Sequence, residues 1–206
     1  MKLTKRILFL VIMAIIAFLL IIGANLLVRG KIAANEEKKR ENAMEEVYAD
    51  AYSFGEVSYR PAYLKRYLEE NGYPDDQVYI RNVTFARDAG MEVQGIVAEV
   101  CSFKKYGGII TMLVGVQNDG TVNGYSILQI SDAKGLDMKV KDIAFSDQFK
   151  GVKTDRFNLV SYKAELTGDV VAANGAEDAS QAVVRGVNAA VLAISFVDEI
   201  YGGMLK

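Results

Sequence analysis

The spacing of apolar and polar positions changes character several times along the chain. From Ile7 to Val28, "ILFLVIMAIIAFLLIIGANLLV", 22 residues pass without a charge. At ~1.5 Å per residue a helix of that length spans about 33 Å, enough to cross a bilayer. A cleaved leader would carry a shorter apolar region, roughly 7 to 15 residues, closed by a small-x-small site, so the pattern predicts a retained membrane anchor. The next run, "NEEKKREN" at Asn35 to Asn42, mixes both signs and leads into "AMEEVYADAYSF". Mixed-sign runs of this kind form solvated helix faces, and the run reads as a stalk. The boundaries predicted from these shifts are 1–30 for the transmembrane anchor, 31–54 for the stalk and 55–206 for one further domain.

Within that domain, helical spacing runs from Pro61 to Glu70, with Pro61 at the start, Asn71-Gly72 at the end and Pro74 just beyond. From Val78 the period drops to that of strands: "VYIRNVTFARDAG", "MEVQGIVAEVCSF", "GGIITMLVGVQ" and "TVNGYSILQI". Asn118-Asp119-Gly120 joins the last two as a tight hairpin. A polar loop from Ser131 to Gly151 contains a short helix near "IAFSDQF", and a further strand follows at Phe157 to Tyr162. A last helix is predicted from Ser180 to about Ile200. Val183, Val187, Ala190, Val191, Ile194 and Val197 form its apolar stripe, and Leu192 and Phe196 add a second. Strands in sequence with helices at either end, and no strand-helix-strand alternation, predict an α+β fold built on an antiparallel sheet.

Composition narrows the chemistry. The chain of 206 residues has no histidine and no tryptophan, which removes imidazole triads, proton shuttles and histidine metal sites. A single cysteine, Cys101, leaves no internal disulfide framework, and its strand neighbours predict a buried, inert thiol. The formal charge of -2 gives no basic footprint for nucleic acid. Lys2, Lys5 and Arg6 before the apolar run compete with Arg29, Lys31, Lys38, Lys39 and Arg40 after it, so charge alone does not orient the anchor. Asp132, Asp137, Asp142 and Asp147 recur every five residues but lack the alternating ligands and closing glutamate of a calcium loop, and are read as solvated carboxylates. Tyr106-Gly107-Gly108 is read as a bend entering a strand and not as a phosphate loop. No residue pattern marks an acid, a base or a nucleophile, so the chain is expected to be at most a non-catalytic subunit.

The order of the pieces carries a resemblance. An apolar anchor and stalk, the hairpin "YGGIITMLVGVQNDGTVNGYSIL", the loop "KGLDMKVKD" with "DQFKG" after it, and then "NGAEDASQAVVRGVNAA" resemble the FMN-binding domain family. The form most similar is the G subunit of Rnf ion-translocating ferredoxin:NAD oxidoreductases, related to the C subunit of the sodium-pumping NADH:quinone reductase. The resemblance covers roughly Ile7 to Ala190. It implies FMN as cofactor, other membrane subunits of an Rnf-type complex and the lipid bilayer as partners, and a single-pass protein of the cell membrane with its domain outside the cytoplasm.

In that family FMN is esterified through its phosphate to a threonine in the pattern Asp-x-x-(Ser/Thr)-Gly-Ala-Thr, with a further hydroxyl before the helix. Laid on this chain, Gly175, Ala176 and Ser180 match, whereas Val171 stands for the aspartate, Asn174 for the first hydroxyl and Glu177 for the acceptor threonine. The family's second flavin motif, Glu-Thr-Pro-Gly-Leu-Gly, falls on Asp132 to Asp137 and keeps Gly135 and Leu136. The cofactor-binding positions implied by the resemblance are therefore Gly135, Leu136, Gly175, Ala176, Glu177 and Ser180. A carboxylate at Glu177 cannot form a stable phosphoester, and Glu177 and Asp178 bring negative charge to a helix start that would otherwise attract phosphate. The residues themselves read as a helix N-terminus capped by Asp178 or Ser180. Two functions stay open: an FMN-bearing electron-transfer subunit, or a flavin-free structural, docking or extracytoplasmic binding module of the same fold.

Overall fold

The computed structural model describes residues 13, 18, 34–131, 135–203 and 205. The predicted anchor, Ile7 to Val28, lies outside the described residues apart from Met13 and Phe18. The chain divides into two units, Met1–Glu41 and Asn42–Lys206. Residues 34–47 are helical (α1), and the charged run within them is largely exposed.

The second unit is α+β, with a mainly antiparallel sheet. Its strands are β1 (Ser53–Glu56), β2 (Val78–Arg87), β3 (Val93–Phe103), β4 (Ile109–Gln117), β5 (Thr121–Ile130) and β6 (Val152–Lys153), and they pair in sequence order as a six-stranded antiparallel meander. A second, two-stranded sheet pairs β7 (Asn158–Val160) in parallel with β8 (Asp169–Val171). The helices are α2 (Pro61–Glu70), the single-turn α3 (Ile143–Ser146) and the long α4 (Glu177–Ile200), and a 3-10 turn covers Leu136–Lys141. The four long strands and α2 lie where apolar alternation and the Pro/Asn-Gly boundaries predict them. The short strands β1, β6 and β8 are not predicted, because two to four residues carry too little alternation to register.

Both faces of the sheet are covered, which is why β3 and β4 read as almost unbroken apolar runs. On one face Ile96, Ala98, Val100, Ile110, Met112 and Val114 pack with the stripe of α4 in the main core. On the other, Ala43, Met44, Val47 and Tyr48 pack on Val97 and Leu113. The later part of the predicted stalk is therefore an apolar helical face seated on the sheet. Gly115 permits that seat, since a Cβ there would lie 2.3 Å from the Val47 carbonyl oxygen. Among the described residues α4 is the one helix long and apolar enough to cross a membrane, but 78% of its most apolar window is buried, the signature of a core helix. Cys101 is buried in β3, its sulfur 3.6 Å from Thr111 Oγ1.

Two buried tyrosines make the fold sensitive to alkali. Burial pushes the Tyr48 hydroxyl up to about 12. Burial also raises Tyr125, whose hydroxyl donates to the Val140 carbonyl, and the charge of Asp142 adds to the effect. A tyrosine in the unfolded chain ionises near pH ~10, so both groups stabilise the native state fully below that value and the contribution fades as the pH rises through their folded values. The denaturation midpoint is expected to hold up to about pH 10 and to fall steeply toward about pH 12 and above, in step with tyrosinate absorbance. A midpoint flat across that range would contradict it.

Candidate functional site at the start of α4

The residues singled out by the resemblance converge where α4 begins. The chain leaves β8, turns at Asn174-Gly175 and enters the helix at Glu177, three residues before the predicted Ser180. Gly175 has φ +78°, a left-handed conformation that side chains resist, so the glycine is required by the turn. The predicted cap is corrected here: Ala176 stands at the cap position and no side chain bonds to the helix start from it. Ser180 is fully buried, and its Oγ donates to the Ala176 carbonyl at 2.8 Å and accepts from Ala173 N–H at 3.0 Å. Asp178 turns away from its own helix and accepts from the backbone N–H groups of Lys105 (2.8 Å) and Tyr106 (3.2 Å), which fastens α4 to the β3–β4 turn.

Glu177 folds back on the turn before it. Its Oε1 accepts from Gly175 N–H at 2.9 Å. That bond, reinforced by the backbone N–H of Glu177 itself and the nearby charge of Lys139, draws its carboxyl below the usual glutamate value. Lys139, on the 3-10 turn, donates to the Asn174 carbonyl at 2.7 Å and so ties the two predicted motif segments together. Gly135 precedes the 3-10 turn that opens with Leu136, while Asp132, Ala133 and Lys134 lie outside the described residues. Asp137 is not a free solvated carboxylate. It pairs with Lys104, whose Nζ also donates to the Ser131 carbonyl at 2.5 Å, and both side chains are largely buried.

Two clefts flank this junction. One, of about 630 Å³, is lined by residues that include Lys139, Asp142, Phe145, Gln148, Ala172 and Asn174. Gln148 seals part of its wall, with Oε1 accepting from Val171 N–H at 2.7 Å and Nε2 donating to the Val171 carbonyl at 3.1 Å. The other, of about 610 Å³, is lined in part by Lys104, Lys105, Tyr106, Glu177, Asp178 and Arg185. The Arg185 guanidinium donates to the Phe103 carbonyl at 2.8 Å, and burial pulls its pKa down. Sequence reasoning does not single out Lys104, Lys139 or Gln148. The acidic substitution at Asp137 signals that a cation is near, but its partner lies 33 positions away.

Comparison with known proteins matches the FMN-binding domain to this part of the chain. The match runs over residues 105–192, less than half of the chain. That domain contains the hairpin, the 3-10 turn, much of both clefts and most of α4. The chain is 39% identical over 88 residues to the G subunit of the proton-translocating ferredoxin:NAD(+) oxidoreductase complex of Clostridium ljungdahlii, covering 43% of this chain and 47% of that protein. It is 30% identical over 103 residues to the G subunit of the Na(+)-translocating ferredoxin:NAD(+) oxidoreductase complex of Acetobacterium woodii, covering 48% and 49%. The chain thus spans about half the length of these curated relatives. The crystal structure of Shewanella oneidensis NqrC aligns with a TM-score of 0.48 at 19% identity, over 58% of this chain and 60% of that one.

FMN fits the family but not this helix start. A phosphate held here would need the N–H groups of the turn and a hydroxyl to form an ester. The Gly175 N–H is taken by Glu177, the Ser180 hydroxyl is buried with proton and lone pair both used, and two carboxylates occupy the first turn. The residues present do not accommodate a phosphoester at this position.

Proposed function

We propose that this chain is the G-type subunit of an Rnf-like ion-translocating ferredoxin:NAD oxidoreductase and takes part in its electron-transfer assembly. The observation that carries the reading is the similarity of the FMN-binding-type domain to the G subunits of two ferredoxin:NAD(+) oxidoreductase complexes. The apolar run Ile7 to Val28 supports a single-pass anchor, a boundary near residue 30 and the bilayer as a partner. By the family's topology the domain faces away from the cytoplasm and meets the other membrane subunits there. Gly135, Leu136, Gly175, Ala176, Glu177 and Ser180 are the positions at which the family's FMN would be met. The chain supplies no acid, base or nucleophile of its own in this reading, and acts as a non-catalytic subunit.

A second reading is favoured by Glu177: the domain is a structural or docking piece of such a complex and bears no flavin. Both readings share one test. Tagged full-length chain isolated from native membranes is expected to bring with it subunits of a ferredoxin:NAD oxidoreductase, identified by mass spectrometry. A deletion strain is expected to lose ferredoxin-dependent NAD reduction in its membrane vesicles. A chain that purifies alone, with undiminished activity in the deletion vesicles, overturns the proposal.

A further inference from the structure

The start of a helix attracts anions because its first N–H groups lack partners and the helix dipole is positive there. In this chain the turn that enters the helix supplies an anion of its own beside that end. The Glu177 carboxylate sits on the Gly175 N–H, and Lys139 clamps the adjoining Asn174 carbonyl. We infer that Glu177 is an internal replacement for a bound phosphate, so that this chain retains an FMN-binding-type domain but holds no FMN at the start of α4. The inference rests on the family match of residues 105–192 and is independent of whether the chain belongs to a complex.

Three routes by which flavin could still be held are closed by separate features. Esterification at residue 177 would place phosphate on a carboxylate, giving an acyl phosphate that water cleaves readily. Esterification at Ser180 would need a hydroxyl that reaches solvent, whereas this one is fully buried and bonded at 2.8 and 3.0 Å to its own turn. Non-covalent phosphate would have to displace Glu177 from Gly175 and then lie beside the displaced negative charge. Asp178, already engaged by the Lys105 and Tyr106 amides, adds a second negative charge to the same turn.

A second departure from the family pattern points the same way. Asp137, standing where the family has glycine, is matched by Lys104. Asp137 and Glu177 are thus each engaged within the chain through the substituted side chain itself.

The test is to co-express the full chain with a flavin transferase, purify it in detergent, and record intact mass and flavin absorbance, with a Glu177→Thr variant alongside. The transferase moves the FMN half of FAD onto a hydroxyl oxygen, releasing AMP, while the hydroxyl proton passes to solvent. The unaltered chain is expected to keep its unmodified mass and stay colourless, and the variant to gain one FMN per chain. Flavin on the unaltered chain, by mass or by absorbance, overturns the inference. A variant that remains unmodified overturns the assignment to Glu177. Amide exchange at Gly175 gives a second reading: Glu177→Ala is expected to speed it by about five- to tenfold, the loss of one hydrogen bond's protection. Unchanged exchange would mean that the internal contact is not what closes the turn. Neither result depends on which subunits the chain purifies with, so failure here is distinct from failure of the proposed function.

Discussion

Replacing Phe149 with alanine is expected to lower the unfolding free energy by about 3–5 kcal/mol, the cost of removing a fully buried aromatic side chain from a packed core. Phe149 has no exposed surface and is the centre of an aromatic cluster. Its ring meets Tyr125 edge-on at 5.4 Å, Phe145 at 5.6 Å and Phe157 at 5.1 Å between centroids. Those partners come from β5, α3 and the segment entering β7, so one ring joins the main sheet to the elements that carry the clefts. Leucine at the same place should lose only about 1.5 kcal/mol, because most of the volume remains. Alanine at the exposed Ile143 of the same segment should change stability by no more than about 0.5 kcal/mol. Urea unfolding of the three variants gives the comparison. A Phe149→Ala loss no larger than that of Ile143→Ala would remove the cluster from any structural role.

The parts of this fold that can be read from sequence are those whose signal is local. Pro61 at one end of α2 and Asn71-Gly72 at the other bound it to the residue, since both ends are set by backbone chemistry within the helix itself. The four long strands follow from alternation and the Asn118–Gly120 turn. The start of α4 departs from the sequence expectation for an instructive reason. Serine at position 180 is a strong cap signal, but two of the three residues before it are held by contacts outside the helix. Glu177 bonds back to Gly175, and Asp178 reaches the β3–β4 turn more than seventy positions earlier. The site is legible only in part by the same logic. Gly175, Ala176, Glu177 and Ser180 stand together in sequence and together in the structure. Lys139 lies 35 positions from the carbonyl it clamps, and no periodicity links the two.

A second large effect is expected at Lys104. Its side chain is 9% exposed and that of Asp137 16%, so the pair is mostly shielded from water. Removing Lys104 strips this shielded ion pair from Asp137 and a donor from the Ser131 carbonyl, and Lys104→Met should cost about 3 kcal/mol. The loss should be largely recovered in Lys104→Met combined with Asp137→Leu, because two apolar side chains of similar size need no partner. A double variant no more stable than the single one would show that the pair is not coupled. The consequence for the site separates two kinds of closure. Lys104 also donates to the Ser131 carbonyl just past β5, so the single variant removes two contacts at once, one to the end of that strand and one to the 3-10 turn. It leaves the Glu177 contact with Gly175 untouched. Loss of the Lys104 contacts alone should therefore admit no flavin, whereas Glu177→Thr should admit it with those contacts intact, which assigns the block to the carboxylate at the helix start.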